Sequence, residues 1–297
     1  MESKSQKSLV SIDNLSKEDI KTLYSLTTNY LECLRSRTDF HHTLKGKSVA
    51  ILFFEDSTRT RISFELAVKR LGAEVINFSA NASSLKKGET LNDTLQNLLM
   101  MKVDLIVVRH QHSGTARFFA KKTSVPVINA GDGTNEHPTQ ALLDLFTMYQ
   151  NGYTDESLLI ELRGDILHSR VAGSALKLWK KLNISFDCQS PETTSRNFLT
   201  ESRMNDGKNK RHNLIYNLRI QKERQFKELI PGLTEYHEFF GLKGKDIPEK
   251  IQVMHPGPIN RGVEMDTEAA DHSQSLVLQQ VEMGVALRMA CMTFLLN

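Results

Sequence analysis

Cysteine is scarce in this chain of 297 residues: Cys33, Cys188 and Cys291 are far apart and form no ligand-spaced pair. That excludes a disulfide framework and fits a reducing, cytoplasmic setting. Neither a His-x-x-x-His nor a Cys-x-x-Cys pattern occurs, so no protein-held metal is expected. No apolar run approaches the ~20 residues of a membrane span, and the N-terminal MESKSQKSLV has no apolar secretory core. Charge of one sign is also in short supply. The 38 Lys and Arg against 35 Asp and Glu leave +3, too little to argue for nucleic acid. The densest basic patch, Lys208, Lys210 and Arg211, reads as a solvated loop. No Gly-x-Gly-x-x-Gly is present, and Gly46-Lys47-Ser48 has His41 where a phosphate-binding loop needs its first glycine. Nucleotide and dinucleotide cofactors therefore have no support, and no cofactor is expected.

What is present is alternation. A capping box, Ser16 with Asp19, opens a helix to about Cys33, and residues 1–10 read as loose. Apolar or β-branched runs follow at 48–54, 74–78, 104–108 and 125–129, with helical patterns at 58–71, 90–101, 114–121 and 138–150. A second set has strands at 158–162, 184–188, 213–218 and 250–254 and helices at 170–182 and about 222–229. The region 191–211 is polar, and a long apolar helix closes the chain from Ser275 to Leu296. Strand–helix alternation predicts an α/β protein with parallel sheets covered on both faces. Two such sets predict two doubly wound domains, residues 1–150 and 151–277, with the C-terminal helix 278–297 packing back on the first. An active site is expected in the cleft between them.

The most informative segment is Phe54-Glu55-Asp56-Ser57-Thr58-Arg59-Thr60-Arg61. It joins a strand to a helix, so free backbone N–H groups and the positive helix end face a ligand. Ser57, Thr58 and Thr60 add hydroxyl donors, and Arg59 and Arg61 add guanidinium groups suited to phosphate. In sheets of this kind ligands collect beyond the carboxyl ends of strands. Unusual polar residues fall at those places: Arg109-His110; Gly131 to Gln140, including His137-Pro138-Thr139-Gln140; Gly164 to Arg170; Arg219-Ile220-Gln221; and His255-Pro256-Gly257-Pro258. Turn chemistry explains any one of them, but not cations, His or Gln at five strand ends. The loop Ser83 to Thr90, with Lys87-Gly88-Glu89, reads alone as a surface loop and also has the length of a lid. There is no recognisable nucleophile triad and no prominent carboxylate pair. Such an inventory binds anions and stabilises developing charge, which points to group transfer between two anionic small molecules.

Ser57-Thr58-Arg59-Thr60-Arg61 together with His137-Pro138-Thr139-Gln140 resembles the carbamoyltransferases, from about residue 45 to the C-terminus. Three features resemble the aspartate-specific rather than the ornithine-specific members: the Ser83 to Glu89 loop, Leu218-Arg219-Ile220-Gln221, and His255-Pro256-Gly257-Pro258 where ornithine enzymes carry His-Cys-Leu-Pro. The resemblance implies that Ser57, Thr58, Arg59, Thr60, Arg109, His137 and Gln140 hold carbamoyl phosphate, with Arg59, Thr60, Arg109 and His137 acting in catalysis. Arg59 would stabilise the departing phosphate, and Gln140 and the Pro258 carbonyl would hold the carbamoyl amino group. It implies that Arg170, Arg219, Gln221, Gly257, Pro258 and Lys87 bind L-aspartate, and that Ser83 and Lys87 reach in from a neighbouring subunit of a homotrimer to bind carbamoyl phosphate as well. The implied product is N-carbamoyl-L-aspartate, for pyrimidine biosynthesis. Related chains act alone or join regulatory or dihydroorotase-like chains, and the sequence leaves that choice open. The rival readings are transfer to another amine, such as ornithine, and a silent scaffold that has lost cationic residues. One departure from the family is Arg163, where a small or apolar residue is usual.

Overall fold

The structure is a computed structural model that describes residues 7–38, 42–79, 89–195, 212–221 and 232–297. The expected helix at 222–229, most of the polar region 191–211, and Ser83 and Lys87 lie outside the described residues. The elements run α1 (Lys17–Ser36), β1 (Ser48–Phe53), α2 (Thr58–Arg70), β2 (Glu74–Ser79), α3 (Leu91–Met100), β3 (Leu105–His110), α4 (Thr115–Lys122), β4 (Val127–Asp132) and α5 (Pro138–Gln150). Then come β5 (Leu159–Arg163), α6 (Arg170–Leu182), β6 (Ser185–Gln189), β7 (Leu214–Asn217), α7 (Leu233–Phe240), β8 (Gln252–Met254), α8 (Thr267–Ala270) and α9 (Val277–Leu296). The chain forms two compact units, one of Met1–Leu142 with Glu282–Asn297, the other of Leu143–Val281.

Each unit carries one four-stranded parallel sheet, ordered β2-β1-β3-β4 in the first and β6-β5-β7-β8 in the second. The inner strands read as continuous apolar runs because helices cover both faces: Val49 to Leu52 and Leu105 to Val107 are fully buried. In the first unit Leu52, Ile106 and Val127 pack with Leu95 and Phe119 from α3 and α4. In the second, Ile215 and Val253 pack with Leu242, Met265 and Ala269. The C-terminal segment of α9 is fastened within the first unit. Tyr30 Oη and Thr293 Oγ1 share a hydrogen bond of 2.7 Å, and Arg35 grips Glu282 through two bonds of 2.9 Å. The Arg288 guanidinium lies 5.0 Å from the centre of the Phe64 ring, a cation–π distance.

The capping box at α1 forms as expected: Ser16 Oγ accepts the Asp19 N–H at 3.1 Å and Asp19 returns the bond to the Ser16 N–H at 2.8 Å. Ser16→Ala should cost about 1 kcal/mol of stability, read as a lower midpoint of urea unfolding. One expectation is corrected. Residues 7–10 are not loose: Leu9 forms a parallel bridge with Ile128, its N–H bonding Val127 O and its carbonyl accepting the Asn129 N–H, both at 2.9 Å. Leu9 and Val10 are buried. Four ordinary residues carry no local signal for this pairing, which is held by tertiary contact. Helices α7 and α8 were not foreseen. The first is eight residues between Gly232 and Gly241 with Phe239 exposed, and the second is a single turn.

Candidate active site

Because the strands are parallel, loops from neighbouring strands gather at one edge. In the first unit β1, β3 and β4 lie side by side, and Arg109 stands opposite Phe53 in the register. The Phe54 N–H bonds to the Arg109 carbonyl at 2.9 Å. Beyond this edge Ser57 caps α2 without using its side chain on the helix, and Thr58, Arg59 and Thr60 form the first helical turn. That turn presents the backbone N–H groups of a helix start beside the Ser57, Thr58 and Thr60 hydroxyls, a geometry suited to an anion. Arg59 and Thr58 are exposed, while Ser57 and Thr60 are half-buried. Arg61, by contrast, turns to Glu65 one helical turn on, at 3.5 Å.

Arg109 is held among these groups. One terminal nitrogen donates to Thr60 Oγ1 and to the Ala130 carbonyl, each at 3.5 Å, and the other approaches Glu55 Oε1 at 3.2 Å. Its side chain is only 11% exposed, so the guanidinium is fixed before any ligand arrives. The register between β3 and β4 shifts at Val108 and His110, a bulge that re-aims the end of the strand carrying Arg109. His110 packs against Phe54 with ring centres 5.0 Å apart and planes tilted by 52°, and its Nδ1 accepts the His112 N–H at 2.9 Å. Burial, then the neighbouring His112, hold its pKa below the usual value, against opposing contributions from Glu55 and Asp132.

The loop after β4 is organised by Asp132. Its carboxylate accepts from the Gly114 N–H at 2.6 Å, Asn129 Nδ2 at 2.8 Å and the Glu136 N–H at 3.1 Å. Gly133 has φ +50°, and a Cβ there would lie 2.4 Å from Ser113 Oγ, so only glycine allows this turn. The loop delivers His137, buried at 4% exposure, to the start of α5, where its carbonyl accepts the Gln140 N–H at 3.0 Å. Pro138 begins the helix, where a missing N–H costs nothing. His137 Nδ1 and Thr139 Oγ1 are 3.5 Å apart.

The second unit repeats the arrangement with β5, β7 and β8. Gly164, at φ +105°, lets β5 end against β7: a Cβ there would lie 2.4 Å from the Leu218 carbonyl. After this turn the fully buried Asp165 accepts from the His168 N–H at 3.1 Å and the Gln221 N–H at 3.4 Å, and it pairs with His168 Nδ1 at 2.9 Å. Ser169 caps α6 through the Ala172 N–H at 3.1 Å, placing the buried Arg170 at the head of that helix. Arg219 is half-buried and Gln221 buried. The segment between them is tied to the loop after β8, since Asn260 Nδ2 donates to the Ile220 carbonyl at 3.4 Å. That loop is braced in turn: the His255 N–H donates to Gln280 Oε1 at 3.0 Å and the Gly257 N–H to His255 Nδ1 at 2.8 Å. Gly257 is half-buried and Pro258 exposed. Arg163 forms a close ion pair with Glu161 of its own strand.

The structure thus groups Ser57, Thr58, Arg59, Thr60, Arg109, His137 and Gln140 at the carboxyl edge of one sheet. It groups Arg170, Arg219, Gln221, Gly257 and Pro258 at the corresponding edge of the other. Sequence reading missed the supporting carboxylates Glu55, Asp132, Glu136 and Asp165, although all four stand inside or beside the polar clusters. The available signal was an acidic residue inside or beside each of these strand-end clusters. Among the described residues no group of three or more His, Cys, Asp or Glu is arranged to hold a metal ion.

Residues 7–150 match the carbamoyl-P binding domain of aspartate/ornithine carbamoyltransferase, and residues 157–295 match its Asp/Orn binding domain. The aspartate carbamoyltransferase catalytic subunit of Campylobacter hominis is 46% identical over 98% of both chains. That of Bradyrhizobium diazoefficiens is 45% identical over 95% of this chain and 92% of its own. Among solved structures, aspartate transcarbamoylase from Trypanosoma cruzi in complex with N-(phosphonacetyl)-L-aspartic acid superposes with a TM-score of 0.85, at 29% identity over 99% of this chain and 97% of that one. The catalytic subunit of the M. jannaschii enzyme gives 0.82, at 33% identity over 97% of each chain. Matched in both halves and nearly half identical to relatives along almost its whole length, the chain belongs to the aspartate/ornithine carbamoyltransferase family.

Proposed function

We propose that this chain transfers the carbamoyl group of carbamoyl phosphate to the α-amine of L-aspartate, giving N-carbamoyl-L-aspartate and phosphate. The observation that carries the reading is the fixed Arg109, 3.5 Å from Thr60 beside the open N-terminal turn of α2. It is a preorganised cationic and hydroxyl cradle with no protein nucleophile in it. The substrate amine supplies the nucleophile instead. Its nitrogen forms the new C–N bond, the C–O bond to phosphate breaks, and the amine proton leaves on the phosphate. Negative charge develops on the carbonyl oxygen, and Thr60, Arg109 and His137 are the donors for it. Ser57, Thr58 and Arg59 hold the phosphate, and Gln140 with the Pro258 carbonyl holds the carbamoyl amino group.

Residues 1–150 with the C-terminal helix take carbamoyl phosphate, and residues 151–277 take aspartate. Arg170 and Arg219 receive carboxylates, with Gln221, Gly257 and Pro258 completing that side. An ornithine side chain needs acidic partners, and the buried carboxylates described beside this group are engaged, Asp165 with His168 and the Gln221 backbone and Glu264 with the Asn260 backbone. A homotrimer with shared sites completes the proposal, Ser83 and Lys87 coming from the neighbouring copy and Lys87 serving both substrates. The cytoplasm is the proposed location, since the three cysteines are unpaired thiols and no helix among the described residues is long and apolar enough to cross a membrane. Succinate, which is aspartate without its amine, should inhibit competitively against aspartate. No inhibition at concentrations well above the KM for aspartate would contradict the two-arginine site.

A further inference from the structure

Glu136 is 1% exposed, one residue before His137. A buried carboxylate is costly unless its oxygens are satisfied, and both are. Oε1 accepts from Ser11 Oγ at 2.6 Å and Oε2 from the Ile12 N–H at 3.0 Å. The Ser11 hydroxyl accepts the Asp13 N–H at 3.1 Å, and its own proton faces Glu136 Oε1 at 2.6 Å, nearer than the Asp13 carboxylate at 3.2 Å. Both donors come from the segment that runs beside β4, where Leu9 bonds to Val127 and Asn129, and where Asn129 Nδ2 reaches the Val10 carbonyl at 3.1 Å. Ser11 and Ile12 are themselves buried, at 1% and 0% exposure. On its backbone side Glu136 closes the loop, with its carbonyl accepting the Asp132 N–H and its N–H donating to Asp132, both at 3.1 Å.

We propose that Glu136 is a positioning residue for His137, and that the N-terminal segment Leu9 to Ile12 is the strap that holds it. The strap pulls on the carboxylate, Asp132 pulls on the peptide groups, and the backbone entering His137 is left one conformation. An imidazole that must meet a developing oxyanion tolerates little displacement, since about 1 Å of misplacement can cost 10²-fold in rate. The kinetic arm of this inference rests on the carbamoyl-transfer reading above; the geometric arm does not.

The test compares Glu136→Ala, Glu136→Gln and Ser11→Ala in the full chain, reading steady-state kinetics and the imidazole 1H–15N resonances of His137, assigned by their loss in His137→Gln. Glu136→Ala should lower kcat about 10- to 100-fold, change the KM for carbamoyl phosphate far less, and shift the His137 resonances. Glu136→Gln should restore both readouts, because its amide oxygen still accepts the Ile12 N–H and the Ser11 hydroxyl can turn to accept from the amide nitrogen. A general structural role would not show that split or that rescue. A folded Glu136→Ala with wild-type kcat and unmoved His137 resonances overturns the proposal. Should Glu136→Ala fail to fold, Ser11→Ala decides by the same two readouts, unmoved values again overturning it. If the wild-type chain makes no carbamoyl aspartate, the functional reading fails separately. The resonances then settle the positioning role, supporting it by shifting in the alanine variant and reverting in the glutamine one, and overturning it by staying fixed.

Discussion

Arg59→Ala is expected to lower kcat by a factor of about 10²–10³ while changing the KM for carbamoyl phosphate much less. The residue lies in the first turn of α2, exposed beside Ser57, whose hydroxyl makes no cap bond. Phosphate gains charge as the C–O bond breaks, so a guanidinium there binds the transition state more tightly than the ground state, and only that difference accelerates the step. The backbone N–H groups of the turn, Ser57 and Thr58 remain in the variant and keep most of the ground-state affinity. Arg61 is the internal control. It is paired with Glu65 at 3.5 Å along the helix, and such exposed pairs contribute little, so Arg61→Ala should stay close to wild type. Steady-state kinetics on both variants check this. An Arg59→Ala enzyme with near-normal kcat, or an Arg61→Ala enzyme as damaged as Arg59→Ala, contradicts the assignment.

Arg219→Ala should raise the KM for aspartate by roughly 10- to 100-fold, the equivalent of losing a hydrogen bond to a charged group worth about 1.5–3 kcal/mol. Carbamoyl phosphate, proposed to bind at the other sheet, should bind as before. Gly164 lets β5 and β7 end together, and Asp165 and Asn260 fasten the N–H and carbonyl of the Ile220–Gln221 peptide, so the segment carrying Arg219 is held whether or not its side chain is present. Arg219→Lys should recover only part of the affinity, because an ammonium cannot reproduce a planar two-point grip on a carboxylate. Inhibition by succinate should weaken in parallel with the aspartate KM. An unchanged KM for aspartate in Arg219→Ala would remove this residue from the substrate site.

The ladder of strands and helices was legible because parallel strands buried on both faces must be apolar along their length, as in Val49 to Leu52, and because Gly and hydroxyl residues punctuate the helices between them. The cationic and hydroxyl clusters were legible for a related reason: in such sheets the chemistry collects at strand ends, and the same edge gathers Ser57, Arg109 and His137. What escaped reading depends on partners distant in sequence. Leu9 joins β4 through backbone bonds that any residue makes. Glu136 is one acidic residue in a polar loop until Ser11 and Ile12, more than a hundred positions away, are seen to hold it. Asp132 and Asp165 sit in turns rich in glycine, where an acidic residue is ordinary turn chemistry, and only their hydrogen bonds distinguish them. Helix α7 is too short for its periodicity to stand out, with Tyr236 as its buried anchor.

The most direct measurement is formation of carbamoyl aspartate by the purified full chain given carbamoyl phosphate and L-aspartate, with L-ornithine in parallel. The site described above predicts product with aspartate and none with ornithine. Product with ornithine would contradict the roles of Arg170 and Arg219, and no product with either amine would contradict carbamoyl transfer by this chain alone.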